Sequence, residues 1–440
     1  DPNTSILITN TLLKDCSSDN PIIRGMAMRA VCDVEVSTIT DELPKIVASG
    51  LNDSNAYVKR MAVLATVHLS KVNMDAVNEL GITNRLYDLL RDRDPQIVSN
   101  SLFALSAILK NSGGVEFTTG LIHHLVNSLP KFSEWSQAQA MEVVTLYEPQ
   151  NEKERFDMMN IIDQFLSSLS VSVLGAATRI LLKLTSERVD IQRQVVSRVI
   201  PKFITHISIS SPEVGFSLLK HLSVLARRFP ECFAPHVTSF IVRYGDPVYM
   251  ANAKFELLKI ITDDIHARDV IETTSRFILL ERPYTARPGV ELLRDLALRL
   301  PSCLSFVISK FRLFFDMGRL TLICECLCAL PDLMRRLPDA IQDFVALLPS
   351  RPPADLTDRA LASYAWILGE YGDRVSDAVY HLETLVSRCW KDPSGDITAR
   401  SSFKITVMTA LSKLLFVTPG EARPVLSNAL SRGLTDPDPG

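Results

Sequence analysis

The stretch NDSNAYVKRMAVLATVHL, residues 52–69, holds the pattern that decides the fold. A short polar loop, Asp53-Ser54-Asn55, runs into a segment whose apolar side chains recur at Val58, Met61, Ala62 and Ala65. That spacing lays an apolar stripe along an α-helix, and one helix alone cannot bury it. The phrase returns along the chain. Asp19-Asn20-Pro21-Ile22-Ile23-Arg24 opens GMAMRAVCDV, Asp94-Pro95-Gln96-Ile97-Val98 opens SNSLFALSAIL, and Ser170-Val171-Ser172-Val173 opens LGAATRILLKL. Ser211-Pro212-Glu213-Val214 and Asp246-Pro247-Val248-Tyr249 do the same for GFSLLKHLSVLA and MANAKFELLKII, with a weaker copy around Glu134-Trp135.

Taking the loops as anchors gives residues 21, 56, 95, 135, 171, 212 and 247, in steps of 35, 39, 40, 36, 41 and 35. One step is the length of a helical hairpin. Proline is tolerated in a first helical turn, where its missing N–H has no partner anyway, and Asp or Ser before it caps free amides. The expected fold is therefore all-α, an α-solenoid of HEAT/armadillo-like helical hairpin repeats in which each repeat packs on its neighbours. Stretches starting near Pro283, Gly318, Asp358 and Asp396 keep the helical pattern with more varied loops. The proline-rich run Leu348-Pro349-Ser350-Arg351-Pro352-Pro353 predicts an irregular connection over 348–357 between a part spanning 1–347 and one spanning 358–440.

Composition agrees with helix-on-helix packing: 47% of residues are hydrophobic and only 7% aromatic. Lys and Arg total 47 against 50 for Asp and Glu, and the net charge of −3 exerts no long-range pull on nucleic acid. The eight cysteines lie mostly in apolar helical segments, without the CxxC pairs of a zinc site. No apolar run reaches the roughly 18 residues that span a bilayer; the greasiest, Leu320 to Leu330, carries Glu325 and meets Pro331. The chain opens on Asp1-Pro2-Asn3 without Met and closes on Asp436-Pro437-Asp438-Pro439-Gly440, which fits an internal fragment.

The search for chemistry leaves no catalytic, cofactor-binding or metal-binding residue to nominate. Cys324, Cys326 and Cys328 alternate, and on a helix the middle thiol turns away from the other two, so they read as core. Neighbouring His123 and His124 diverge by about 100° on a helix and read as a surface-and-core pair. Asp263-Asp264 reads as a solvated loop, and Arg227-Arg228 and Arg335-Arg336 as cations at helix ends. Phosphate-binding loops, HExxH and GxSxG are absent from the sequence, so the expectation is a protein that is not an enzyme and uses no cofactor. Trp366 to Tyr371 differs from the rest, because it combines aromatic bulk, a glycine and a carboxylate. Aromatics with a polar tip favour contacts between subunits, which makes Trp366, Glu370 and Tyr371 the candidate partner-binding residues.

Three phrases carry a family resemblance. KDCSSDNPIIRGMAMRAV (Lys14 to Val31), NDSNAYVKRMAVLATVHL (Asn52 to Leu69) and WILGEYGDRV (Trp366 to Val375) resemble stretches of the β-adaptins, and occur in the family's order. LYDLLRDRDPQIV (Leu86 to Val98) and GDPVYM (Gly245 to Met250) fall where a β-adaptin would have them. GGV at Gly113, LIHHLV at Leu121 and FDMMNIIDQFL from Phe156 to Leu166 look most like the β subunit of the fourth adaptor complex. The runs Arg282 to Pro288 and Leu348 to Pro353 depart from the family in being richer in proline.

The resemblance implies the trunk of a large subunit in a heterotetrameric vesicle-coat adaptor that sorts cargo at trans-Golgi network or endosomal membranes. It implies medium (mu), small (sigma) and second large adaptin partners, with Trp366, Glu370 and Tyr371 helping to hold the medium subunit. It also implies peripheral membrane recruitment by an Arf-class small GTPase, further helices before Asp1, and a hinge and ear after Gly440 through which clathrin or accessory proteins bind. The rival expectation is another HEAT/armadillo scaffold or transport receptor, binding peptides or proteins on its concave face, since the periodicity would be the same.

Overall fold

The computed structural model describes residues 10–33, 37–280, 284–349, 355–389 and 397–434. Among the described residues every regular element is helical, and no strand occurs. The expected helical solenoid of HEAT/armadillo type is the observed fold class. Helices begin at Pro21, Ala56, Pro95, Glu134, Val171, Pro212 and Val248, within one residue of each loop anchor. The weaker copies start at Ala286, Leu320, Asp358 and Ile397.

Caps explain most of these starts. Asn20 accepts a hydrogen bond from the Ile22 N–H (3.0 Å), Asn55 from that of Tyr57 (2.9 Å), and Asp94 from that of Gln96 (2.9 Å). Each such cap contributes about 1 kcal/mol. Ser170 and Ser211 make no side-chain cap, so there the first turn rests on packing and, at Pro212, on a φ already set for helix. Asp246 has another task. It accepts from the Lys254 ammonium and from the Arg243 N–H, both at 2.7 Å, holding a lysine that is 95% buried.

The chain divides into two compact units, Asp1–Val199 and Ile200–Gly440. In the first, the helices Pro21–Asp33, Ala56–Val72, Pro95–Ile108, Glu134–Val144 and Val171–Leu184 pack in succession as one row. Ser37–Leu51, Ile82–Leu89, Thr119–Ser128 and Glu152–Asp163 pack against that row as its hairpin partners. In the second unit the row comprises Pro212–Arg228, Val248–Ile261, Ala286–Arg299, Leu320–Arg336, Asp358–Tyr371 and Ile397–Val417. Ala267–Ile278, Leu304–Asp316, Ala378–Cys389 and Pro419–Leu434 back it.

Because a row helix touches the helix before it, the helix after it and its hairpin partner, it buries more than one stripe. Ala56–Val72 buries Val58, Ala62, Val63, Ala65, Thr66 and Leu69, while Met61, expected on the stripe, is only half-buried. Each fully buried Leu or Val contributes about 1.5–3 kcal/mol relative to exposure. Side-chain hydrogen bonds show the same spacing. Arg24 reaches Asp53, Arg60 reaches Asp94, Arg198 reaches Asp163 and Arg294 reaches Asp332, at separations of 29, 34, 35 and 38 residues. Others dock a cation on the free carbonyls ending a neighbouring helix: Lys183 donates to Thr145 O (2.6 Å), Arg319 to Leu279 O (2.7 Å), and Arg299 to Thr262 O.

Pro331 does not end its helix. Leu320–Arg336 runs through it with Pro331 buried, since the neighbouring helices hold the segment and only one N–H is forfeited. Among the described residues no helix is long and apolar enough to cross a membrane. Of the expected 348–357 connection, Leu348, Pro349 and 355–357 are non-helical, with Thr357 capping the next helix at Ala360 N; residues 350–354 lie outside the described residues. The same holds for Arg282 and Pro283 of the other proline-rich run, and for Asp396.

Candidate functional site

Trp366, Glu370 and Tyr371 lie on the last two turns of the Asp358–Tyr371 helix. Its buried face is made by Tyr364, Ala365, Ile367, Leu368 and Gly369, so Trp366 and Tyr371 are left half-buried and Glu370 exposed. Gly369 fixes how close the next helix comes. A Cβ there would lie 2.6 Å from Ala410 Cα, so the Ile397–Val417 helix packs backbone to backbone at this point. Beside that contact a groove of about 160 Å³ opens, lined by Trp366, Gly369, Ile405, Thr406, Thr409, Ala410 and Lys413.

The three candidate residues touch different neighbours. The Arg335 guanidinium stands over the Trp366 ring at 4.2 Å from its centre, a cation–π contact of about 0.5–1 kcal/mol at a partly exposed site. The rings of Trp366 and Tyr371 meet edge to face at 6.1 Å, and the Tyr371 hydroxyl donates to Met334 O at 3.5 Å. Glu370 pairs with Lys413 across the groove, both side chains remaining more than a third exposed. An ion pair this open adds at most about 1 kcal/mol.

The Trp366 ring ends a longer relay through the second unit's row. Lys259 approaches Asp295 (3.5 Å), Arg294 bridges Asp295 (2.8 Å) and Asp332 (3.0 Å), and Arg335 approaches Asp332 (3.6 Å) before covering Trp366. Sequence reasoning took Arg335 only as a helix-end cation. The missed signal was its position about one repeat before Trp366, the offset that pairs other row helices.

The remaining candidates resolve differently. Cys324 and Cys326 are buried and Cys328 half-buried; complete burial pushes the Cys326 thiol well above its ordinary pKa, in keeping with a core thiol. His123 and His124 are not a surface-and-core pair. His124 is exposed, whereas His123 Nε2 lies 3.6 Å from the buried carboxylate of Glu154, which also accepts from the Tyr147 hydroxyl (2.7 Å) and the Gln150 N–H (2.8 Å). Asp263 is not merely solvated, since it accepts from His266 N and Nδ1 at 2.9 and 2.6 Å. Burial pushes its carboxyl up, but those bonds outweigh it and hold the pKa below the usual range.

Helical hairpins recurring about every 35 to 41 residues, with the notable surface groups stacked or paired rather than aimed into a reactive cavity, define a solenoid of the HEAT/armadillo class. The family described as the adaptin N terminal region matches residues 1–438, and the chain belongs to that family. AP-4 complex subunit beta-1 of Mus musculus is 29% identical over 445 residues, covering 98% of this chain and 57% of that protein. Beta-adaptin-like protein A of Arabidopsis thaliana is 27% identical, covering 99% of this chain and 52% of that protein. The β-adaptin resemblance of the sequence phrases is thus matched along nearly the whole chain, which spans about half the length of these curated relatives. Among solved structures, a homology model of the full-length AP-3 complex in an intermediate open conformation aligns with a TM-score of 0.55 at 16% identity, covering 96% of this chain and 74% of that one. That likeness concerns the fold alone.

Proposed function

We propose that this chain is trunk of a β-adaptin-type large subunit, a structural member of a heterotetrameric adaptor coat in vesicle-mediated protein transport. It catalyses nothing in this reading; its work is to bury surface. The observation that carries it is the adaptin match over residues 1–438, which leaves no room in this chain for a domain of another kind. Medium (mu), small (sigma) and second large adaptin subunits are the partners, and an Arf-class small GTPase recruits the assembly to trans-Golgi network or endosomal membranes. Clathrin or accessory proteins engage a hinge and ear beyond the trunk segment. Within the second compact unit, the 348–357 stretch is an irregular connection between 1–347 and 358–440 of the trunk.

Trp366 and Tyr371 supply the medium subunit with an aromatic edge pre-ordered by Arg335, at little entropic cost, and Glu370 supplies a charge. Mass spectrometry of proteins co-purifying with the tagged chain tests the assembly. Recovery of the three other subunits is the expected result; recovery of a catalytic subunit or soluble transport cargo in their place defeats it. Glu370→Lys would also repel Lys413, so the site is tested with the swap Glu370→Lys/Lys413→Glu, which restores the internal pair. Trp366→Ala and the swap should both lower medium-subunit recovery by about tenfold, as loss of an aromatic or charged anchor does. Recovery from the swap equal to the unaltered chain would reduce Glu370 to a stacking contact.

A further inference from the structure

A second groove lies in the first unit and is independent of the reading just given. It runs between the Glu152–Asp163 helix and the residues leading into the Val189–Ile209 helix, with a volume of about 390 Å³. Its floor is apolar, with Phe156 and Met159 on one side and Leu184 and Ile191 on the other. Phe156 is 62% exposed. The core face of its helix is already filled by Met158 and Ile162, both at most 1% exposed, so Phe156 is turned away from the core. An exposed apolar trough rimmed by charge marks an interaction site.

The rim indicates what fits. Arg155 pairs with Glu187 at 3.3 Å and Arg188 with Glu152 at 3.2 Å, so each carboxylate at the mouth has a guanidinium beside it. Both pairs run from the helix to the loop after Leu184. Lys153, exposed and also lining the groove, has no ion-pair partner among the described residues. The groove therefore presents a greasy floor and one uncompensated cation.

We propose that this groove docks an amphipathic acidic helix from a partner protein. Two or three large apolar side chains at helical spacing seat over Phe156 and Met159, and a Glu or Asp of the same helix meets Lys153. Apolar contact supplies most of the affinity. The charge selects acidic helices over basic ones, because a lysine at that position would face Lys153 with both rim carboxylates already engaged.

The test is fluorescence anisotropy on the 440-residue chain. The probes are two fluorescein-labelled peptides with the same three leucines at helical spacing, one with glutamates on its other faces and one with lysines. The acidic peptide should bind about tenfold more tightly; Phe156→Glu should cost at least about tenfold, and Lys153→Glu should erase or invert the preference. Phe156 and Lys153 are both exposed, so the variants keep the core intact; Phe156→Ala, with a loss of about fivefold, covers the case in which the charge of Phe156→Glu perturbs the repeat. Equal binding of the two peptides, or unchanged affinity in both Phe156 variants, overturns the proposal. So does light scattering that shows a Phe156-dependent dimer the acidic peptide cannot dissociate, because the occupant would then be a second copy of this chain.

Discussion

The first and last described seams of the chain use the same two-residue device with opposite emphasis. In the first, Arg24-Gly25 of the Pro21–Asp33 helix faces Asp53 and Tyr57; in the last, Gly369-Glu370 of the Asp358–Tyr371 helix faces Ala410 and Lys413. Each pairs a glycine that lets the next helix approach with a charge that reaches across. At the first seam the glycine is met by the Tyr57 ring, a side chain that can turn, while the ion pair is two-pronged, at 2.9 and 3.1 Å, and shielded, its partners 19% and 13% exposed. At the last seam the glycine is met by backbone, while the ion pair is open to water. Where packing alone fixes the register the charge is spare, and a spare charge beside Trp366 is what a partner surface could use. Where packing is adjustable, the charge is needed for the fold.

The largest expected effect breaks the last seam. Gly369→Val would drive a branched side chain into the Ala410 backbone, which cannot move without shifting a helix of the row, and overpacking of this kind costs about 1–3 kcal/mol. Gly25→Ala asks only that Tyr57 rotate, and should cost less than about 1 kcal/mol beyond any gain in helix propensity. Amide exchange resolves the two ends separately, since repeats open locally. Protection should fall in the Asp358–Tyr371 and Ile397–Val417 helices of Gly369→Val far more than around Pro21–Asp33 in Gly25→Ala. Equal losses would mean that the backbone contact at Ala410 does not set the register.

The electrostatic exchange should run the other way. Asp53→Ala leaves the shielded Arg24 guanidinium without its carboxylate and removes an acceptor for the Asn55 N–H, for a loss of about 1–3 kcal/mol. Lys413→Ala removes a contact that water already replaces, and should change stability by no more than about 1 kcal/mol. Urea titrations of the two variants, followed by the same local exchange, measure the difference. Parity between them would end the contrast drawn between the seams.

The fold was open to sequence reasoning because its signals are local. Pro21, Asn55, Asp94 and Pro212 mark helix starts by caps and preset φ, and their spacing alone implies stacked hairpins. The surroundings of the site were not open in this way, because they depend on which residue lies one repeat away. Trp366, Glu370 and Tyr371 stood out by type, but Arg335 over the ring, Lys413 against Glu370 and Ala410 against Gly369 follow only from the register of neighbouring helices. Phe156 was hidden for the opposite reason. Phe156, Met158, Met159, Ile161 and Ile162 are more apolar side chains than one stripe holds, and only the burial of Met158 and Ile162 reveals that Phe156 faces outward.

The smallest effect sharpens the comparison with protons. Burial pushes the Asp53 carboxyl upward, but the hydrogen bonds from the Arg24 side chain and the Asn55 N–H, with Arg24 and Lys59 nearby, outweigh it and hold its pKa below the ordinary 3.8. The folded chain therefore binds that proton less readily than the unfolded chain does. This seam's contribution is complete above the ordinary carboxylate pKa and drains away as pH falls through the lower, folded one. Exchange of the Pro21–Asp33 and Ala56–Val72 helices, corrected for the intrinsic rate, should quicken as pH drops from about 5 to 3. Asp53→Asn, which cannot titrate, should begin with weaker protection and lose less over that range. A rise just as steep in Asp53→Asn would assign the acid sensitivity to other carboxylates and strip Asp53 of the role given it here.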